Sequence, residues 1–326
     1  MGETRHVPVM VEELLRFLDL RPGGRYLDLT LGGGGHARKI LERVPTASLV
    51  GVDRDASTLA KTAAELADFG ERFSALHAPY DRADEAAAAA GAASFRGAFQ
   101  GALLDLGISS VQLDDAERGL SFERDGSLDM RMDRSVGETA AELLGRVSER
   151  ELADLLFRFG DEARSRAIAR ALVERRRHAP VRRTIELADL VERAVGGRRG
   201  SRIHPATRTF QALRMAVNDE IGGLERVLAK LASWLAPDGR LVVLSFHSGE
   251  DRIVKRSLRA AAAVGEYELL TRKPLEPGAA EVEVNPRARS AKLRAARRLA
   301  AGTAVRPVSA RGADRGDERE DERNDG

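Results

Sequence analysis

Short apolar runs recur through the first third of the chain, each closing on a polar or glycine-bearing turn and each followed by a stretch with helical spacing. The runs predict strands at Tyr26, Leu27, Leu29 and Leu31, at residues 47–52, at residues 73–77 and at residues 99–104, with helices at 9–18, 37–44 and 57–69 between them. This is the βαβ rhythm of a doubly wound α/β sheet. From about residue 138 the period becomes helical without strands. Two capping boxes, Thr139-x-x-Glu142 and Ser148-x-x-Glu151, and a glycine stop at Gly160 punctuate it. Helices follow at 162–177 and 184–195, split by Ala179-Pro180 and closed by Gly196-Gly197. The sheet pattern then returns with a helix at 210–235, a turn at Pro237-Asp-Gly239 and a strand at 240–245. The expected organisation is a Rossmann-like α/β core in two parts, 1–117 and 210–306, split by a helical insertion at 118–209. A charged, glycine-rich tail at 307–326 has almost no apolar residue and is expected to be disordered.

Candidate chemistry sits where the strands end. Arg25-Tyr-Leu-Asp-Leu-Thr-Leu-Gly-Gly-Gly-Gly-His36 carries an acid in a strand straight into glycines that permit positive φ and close backbone approach to a ligand. The amides of a helix starting near Ala37 would face that ligand. Gly32, Gly34 and Ala37 also satisfy the G-x-G-x-x-A spacing of a dinucleotide site, where a pyrophosphate rests on the helix N-terminus. Asp28 separates the two readings. A carboxylate there suits the ammonium and sulfonium of S-adenosylmethionine and is awkward beside a pyrophosphate, although Asp28 has a second role open to it as a buried cap for the turn. Asp53 closes the second strand, where an acid accepts hydrogen bonds from ribose hydroxyls in either nucleotide. Ligands of open α/β sheets lie outside the carboxyl ends of the strands, so Gly34, Asp53, Tyr80 and Asp105 are expected to converge on one cofactor, S-adenosylmethionine. The fold expected is then that of a class I methyltransferase.

Composition narrows the chemistry. The 326 residues suffice for one large core and a smaller domain. Net charge is only +2, and of 53 cationic residues just six are lysine. Arginine favours bidentate phosphate contacts, and coding bias in a GC-rich genome gives the same preference. With 4% aromatic residues a broad base-stacking platform is not expected, so a flipped base must rely on a few rings. The absence of cysteine excludes disulfides, thiolate metal sites and a cysteine nucleophile, and with it methylation at cytosine carbon 5 through a cysteine adduct. The six histidines lack H-E-x-x-H spacing and no metal is expected. No run of 18 apolar residues and no basic-then-apolar amino terminus occurs, which predicts a cytoplasmic protein without a membrane anchor.

Five segments are too particular for fold alone to explain: Gln112-Leu-Asp-Asp-Ala-Glu-Arg-Gly119, Leu128-Asp-Met-Arg-Met-Asp133, His204-Pro-Ala-Thr-Arg-Thr-Phe-Gln211, Ser245-Phe-His-Ser248 with Glu250-Asp-Arg252, and Asn285-Pro-Arg-Ala-Arg-Ser290. Together, from about His6 to Arg298, they closely resemble the RsmH (MraW) family of bacterial S-adenosylmethionine-dependent methyltransferases. The resemblance implies methylation of the exocyclic N4 of a cytidine in the decoding region of 16S rRNA, with the small ribosomal subunit as partner. It also implies cofactor contacts at Gly34, Gly35 and His36, at Asp53 for the ribose, at Tyr80 beside the adenine, and at Asp105 and Gln112. The family often has phenylalanine at the place of Tyr80, and usually leucine where Gly249 stands here.

Two residues are candidates for the catalytic step. An exocyclic amine is a poor nucleophile because its lone pair is delocalised, so positioning must supply much of the rate. Asp105, with Ser109 or Ser110 nearby, can accept a hydrogen bond from the amine and then its proton, or can hold only the cofactor, since Asp-Leu-Gly-Ile stands where amine methyltransferases often carry Asp-Pro-Pro-Tyr. His247, just past the strand at 240–245, can contact the base or the departing proton, or serve only as a structural hydrogen-bonding residue. Asp129, Arg131 and Asp133 form either a hinge salt-bridge set or a substrate contact. Arg175 to Arg177 with Arg182 and Arg183, then Arg198, Arg199 and Arg202, then Arg287, Arg289, Lys292 and Arg294 are read as a phosphate-binding rim. The competing classes are an assembly factor that binds RNA without turnover and a DNA amino-methyltransferase. The latter would need a larger target-recognition domain than the one insertion.

Overall fold

Strands β1 (Arg25–Asp28), β2 (Ser48–Asp53), β3 (Phe73–His77), β4 (Phe99–Asp105), β5 (Leu235–Ser245), β6 (Tyr267–Leu269) and β7 (Lys292–Arg298) form one sheet in the order β3-β2-β1-β4-β5-β7-β6. The computed structural model describes residues 8–198 and 203–300, with the side chains of Ser110 and Val111 excepted. The tail at 307–326 and residues Arg199 and Arg202 therefore lie outside the described residues. Neighbours from β3 to β5 pair in parallel, and β7 runs antiparallel between β5 and β6. Because successive side chains of a strand point to opposite faces, β1 sends Leu27 into one apolar core and Tyr26 into the other. Helices cover both faces, so the strands read as nearly continuous apolar runs.

The first four strands lie where the apolar pattern puts them, except that β1 ends at Asp28 and leaves Leu29 and Leu31 in the turn; the rest of the chain departs from the pattern in four places. The helix expected at 210–235 is two helices, Ala206–Val217 and Glu220–Trp234, broken at Asn218 and at Asp219, whose φ is 47°. The turn at 237–239 is a bulge inside β5, where pairing shifts from Phe99–Leu235 to Gly101–Arg240 and Asp238 takes φ 63°. Strands β6 and β7 were not expected. Gly160 is the last residue of its helix, and the left-handed stop is Asp161 at φ 48°. Glycine is needed at 160 for a different reason: a Cβ there would lie 2.6 Å from the Arg208 carbonyl oxygen on the crossing helix.

Both capping boxes form, at Thr139 with Glu142 and at Ser148 with Glu151. The helices Ala140–Arg146, Glu149–Gly160, Ser165–His178, Thr184–Ala194 and Ala206–Val217 share a third core through residues such as Leu152, Ile168, Leu187, Phe210 and Leu213. The helical unit therefore has its own apolar interior beside the sheet. No helix among the described residues is long and apolar enough to cross a membrane.

Residues 115–137 connect the two units and are folded tightly on themselves. A Cβ at Gly126 would lie 1.8 Å from the Ala116 carbonyl oxygen, so Gly126→Ala must force these strands of chain apart. The expected cost is about 3 kcal/mol, read as a lower unfolding midpoint by calorimetry. An unchanged midpoint would refute this account of the hinge.

Candidate active site

The turn after β1 is fixed from three sides. Gly32, at φ 49°, donates its N–H to Asp53 Oδ2 at 2.8 Å, and its carbonyl accepts from Thr62 Oγ1 at 2.5 Å. Leu31 N–H reaches the Val52 carbonyl at 2.9 Å. Gly34 caps the helix Gly35–Arg43 at φ 70°, and a Cβ on it would lie 2.6 Å from Thr62 Cγ2. The turn is thus pinned to the end of β2 and to the helix Ala56–Glu65.

Against it opens a cavity of about 760 Å³ that gathers Gly32, Gly33, Gly35, His36, Asp53, Tyr80, Asp105 and Gln112. Of the cofactor positions implied by sequence, Gly34 alone does not line this cavity; it packs behind the turn on Thr62 and Leu66. Asp53 accepts from Gly32 on one oxygen and from the Asp55 N–H at 2.8 Å on the other, and burial raises its pKa. Each oxygen keeps a lone pair for a further donor. Tyr80 donates its hydroxyl to the Glu220 carbonyl at 3.1 Å and lays its ring over Gly223, with burial raising the phenol.

Asp105 ends β4 with its N–H on Thr30 Oγ1 at 2.6 Å. Its Oδ2 lies 3.4 Å from His36 Nδ1, and its buried Oδ1 has no hydrogen-bond partner among the described residues. His36 Nε2 donates to the Val9 carbonyl at 2.9 Å. Burial alone would lower the imidazole's pKa, but Asp105, the Val9 carbonyl and Asp28 outweigh it and raise it.

Asp28 takes the second of its two expected roles. It is 1% exposed, does not line the cavity, and accepts from the Thr30 N–H at 3.1 Å as a cap on the turn. Direct contact with a ligand ammonium is corrected by this burial. Burial, with repulsion from Asp105 and Asp53, pushes its carboxyl up to about 7 against the pull of His36 and the Thr30 amide.

Sequence reasoning missed the group that ties the site together. Asp55 is 2% exposed and accepts from the Ser57 N–H at 3.1 Å, Thr58 Oγ1 at 2.8 Å, Gln112 Nε2 at 2.9 Å and the Arg118 guanidinium. Burial would raise its carboxyl, but these donors hold it down at about 2. Arg118 also donates to the Met132 carbonyl at 3.0 Å, Met132 N–H to Asn218 Oδ1 at 2.8 Å, and Arg54 to the Asn218 carbonyl at 2.7 Å. One polar network therefore joins the acid at the end of β2, the hinge of the insertion and the break before Glu220. The available sequence signal was Asp55 with Ser57 and Thr58, an N-cap pattern that says nothing of Arg118.

The far wall comes from the insertion and from the end of β5. His247 caps the helix Ser248–Ala263, with Nδ1 accepting from the Glu250 N–H at 3.3 Å and Nε2 3.0 Å from Glu250 Oε1. Glu250, 3% exposed, also accepts from the Phe246 N–H at 3.0 Å. A Cβ at Gly249 would come within 3.2 Å of His247 Nδ1. The expected phosphate rim is largely paired internally. Arg175 meets Glu186, Arg176 holds the Leu144 and Val147 carbonyls, Arg177 meets Glu174, and Arg183 meets Asp125. Arg294 is a buried partner of Asp251 inside β7, which removes it from any rim. Asp129 pairs with Arg131 at 2.7 Å and with Arg134 at 3.4 Å, and Asp133 sits 3.7 Å from His77, all away from the cavity lining. Among the described residues no cluster of histidines and acids has metal-binding geometry.

A parallel sheet of this order with an antiparallel β7, a glycine turn after β1 and an acid ending β2 define a class I methyltransferase fold. The chain belongs to the MraW methylase family, whose sequence profile matches residues 3–299. S-adenosylmethionine is accordingly its methyl donor. The residues fit that cofactor: Asp53 offers spare lone pairs at a strand end, beside a glycine turn whose Gly32, Gly33 and Gly35 line the cavity. The chain is 48% identical over 301 residues to the ribosomal RNA small subunit methyltransferase H of Sorangium cellulosum, covering 92% of this chain and 93% of that one. It is 47% identical over 300 residues to the protein of the same name from a Cyanothece species, covering 91% and 96%. A solved structure of a putative rRNA methylase from Clostridium thermocellum superposes with a TM-score of 0.43 at 8% identity over 90% of this chain and 98% of its own, a likeness too distant to add to the sheet order itself.

Asp28 makes the site's effect on stability measurable. Its folded pKa of about 7 lies above the ordinary 3.8, so the folded state keeps a proton that the unfolded state releases between those values. Stability should fall as pH rises through that window and level off above it, by about 4 kcal/mol at most. His36 adds a decline of the same sign. Asp28→Asn is expected to remove the Asp28 part, gaining on the parent at pH 8 and matching it near pH 4 in urea unfolding. Parallel curves for the two proteins would be inconsistent with a proton held at Asp28.

Proposed function

We propose that this chain transfers the methyl group of S-adenosylmethionine to the exocyclic N4 of a cytidine in the decoding region of 16S rRNA, within the small ribosomal subunit. Such a substrate places its work in the cytoplasm. The observation that supports this most is Asp105, whose carboxylate lines a cavity walled by the glycine turn on one side and by the insertion on the other and keeps one oxygen without a hydrogen-bond partner among the described residues. The name shared by relatives at 48% and 47% identity supports the choice of small-subunit ribosomal RNA.

The residues divide the work. Gly34 and Gly35 shape the turn, Asp53 receives the ribose hydroxyls, Tyr80 lies beside the adenine, and Gln112 acts with Asp55 to hold the ribose acid in register. His36, fixed by the Val9 carbonyl, orients Asp105 through Oδ2. When bound, S-adenosylmethionine supplies an electrophilic methyl on a sulfonium. The Asp105 carboxylate would accept the N4–H of the target, localising the nitrogen lone pair for in-line attack, and would take the proton released as the methyl passes from sulfur to nitrogen with the sulfur–carbon bond breaking. His247, held by Glu250, borders the base and helps exclude water. Ejecting a cytidine from its stack costs roughly a few kcal/mol, least in a single-stranded segment.

The test is transfer of labelled methyl from S-adenosylmethionine to small subunits isolated from a strain lacking this gene, followed by nucleoside analysis and mapping. Label in N4-methylcytidine at one decoding-region position is the expected result, and subunit binding without label would favour the assembly-factor reading. Asp105→Asn should lower turnover by about 10²-fold to 10⁴-fold while leaving cofactor affinity nearly intact. Full turnover with weakened cofactor binding would end the catalytic role of Asp105.

A further inference from the structure

The half of the cavity away from the glycine turn has a composition of its own. The chain holds only ten phenylalanines, yet Phe122, Phe210 and Phe246 all face this one space. Phe122 packs its ring 4.7 Å from the ring of His204 and 4.8 Å from that of Phe210, making an aromatic corner on the insertion side. Most polar groups around that corner are already committed. Arg214 is bidentate to Glu220 at 2.7 and 2.9 Å, and His204 uses one ring nitrogen on the Ala206 N–H at 3.1 Å and sets the other 3.1 Å from Glu192. His247 accepts the Glu250 N–H on Nδ1, and its buried Nε2 sits 3.0 Å from Glu250 Oε1 without hydrogen-bond geometry.

Gln211 differs. It lines the same wall from the helix Ala206–Val217, and among the described residues the one hydrogen bond of its carboxamide is a weak contact from Nε2 to Met215 Sδ at 3.9 Å. A half-buried amide with unspent donors and acceptor, set beside an aromatic corner in the cavity that the Asp105 carboxylate also lines, has the parts of a base-recognition site.

The geometry points to this half of the cavity as the seat of the target pyrimidine, with its face on Phe122 and Phe210 and its N3 and O2 edge read by the Gln211 carboxamide. The assignment rests on the function proposed above. With N4 turned toward Asp105, a cytosine has two acceptors left on its edge, N3 and O2, and Gln211 Nε2 is the donor that meets them. A uracil would instead set its O4 against the Asp105 carboxylate, so Asp105 and Gln211 together discriminate the base.

The experiment uses the full chain, S-adenosylmethionine and small subunits from the strain lacking this gene, with KM for subunits, kcat and cofactor Kd measured separately. Gln211→Ala is expected to raise KM for subunits or lower kcat by about fivefold to tenfold in total. Gln211→Glu, which sets an acceptor against two acceptors, should lose at least about tenfold more. Cofactor Kd should stay within about twofold of the parent in both, since neither change touches the strand-end acids. Phe122→Leu should raise KM and Phe122→Tyr restore it. A merely structural Gln211 would not rank Glu below Ala in kcat/KM at unchanged cofactor affinity. If the parent methylates rRNA and both Gln211 variants match it, or if they lose cofactor affinity in parallel with turnover, the base seat is refuted while the function stands. If the parent methylates no ribosomal RNA, both fall together.

Discussion

The rest of the site depends on a buried carboxylate, Asp55, and the donors that surround it. A charge taken out of water costs several kcal/mol, and removing one partner of such a group typically costs about 3–5 kcal/mol. Asp55 escapes that penalty because Gln112, Thr58, Ser57 and Arg118 all donate to it, and they hold its carboxyl down at about 2. Its stabilising effect is present above the ordinary pKa of 3.8 and is lost as pH falls toward 2. The donors come from three parts of the molecule, with Ser57 and Thr58 on the helix that Asp55 itself caps. Asp55 opens the helix behind the ribose acid, Gln112 follows β4, and Arg118 begins the hinge of the insertion. Because Asp55 also donates its own N–H to Asp53 at 2.8 Å, the acid that faces the cavity and the hinge that carries the far wall are positioned by the same group.

A second constraint is the concentration of acid around the glycine turn. Asp28, Asp53 and Asp105 end three adjacent strands, and repulsion from the other two contributes to the upward push on Asp28. His36 is the one base set among them, held between Val9 and Asp105. Asp53 and Asp105 are the acids of this cluster that line the cavity, and beside them a sulfonium or an ammonium is favoured and a pyrophosphate is not. The discrimination between the two nucleotide readings thus survives the withdrawal of Asp28 from the cavity wall. It is carried by the two acids that line the cavity, Asp53 and Asp105, rather than by a contact to Asp28.

What was legible in the sequence is what is local. Apolar runs closed by turn residues announced β1 to β4, and the capping boxes at Thr139 and Ser148 formed as read, because each depends on residues within one turn of one another. Strand β7 was not legible. Its residues Lys-Leu-Arg-Ala-Ala-Arg-Arg look like a basic surface segment, and only the Asp251 carboxylate on a distant helix makes a buried Arg294 tolerable between two strands. The break at Asn218 carries no proline or glycine; it is enforced by Asn218 bridging Met130, Met132 and Arg54 across the fold. The candidate site was legible in its strand-end acids, whose positions follow from topology. The partnership of Asp55 with Arg118, 63 residues away, was not, since nothing in either neighbourhood names the other.

The arginine excess has a structural reading that neither phosphate binding nor coding bias supplies. A planar guanidinium can satisfy a carboxylate with two parallel hydrogen bonds, and the fold uses that geometry at Arg294 with Asp251, Arg214 with Glu220 and Arg131 with Asp129. Lysine offers a point charge and could not hold these pairs in register. The same commitment draws down the charge available to a polyanion, because the helical arginines at 175–177 and Arg183 already meet glutamate, aspartate or backbone carbonyls. With net charge +2 and such internal pairing, these arginines offer little free charge to an RNA backbone. Its selectivity must then come from the shape of the cavity and the few groups inside it that remain unspent, which is where the Asp105 oxygen and the Gln211 amide stand.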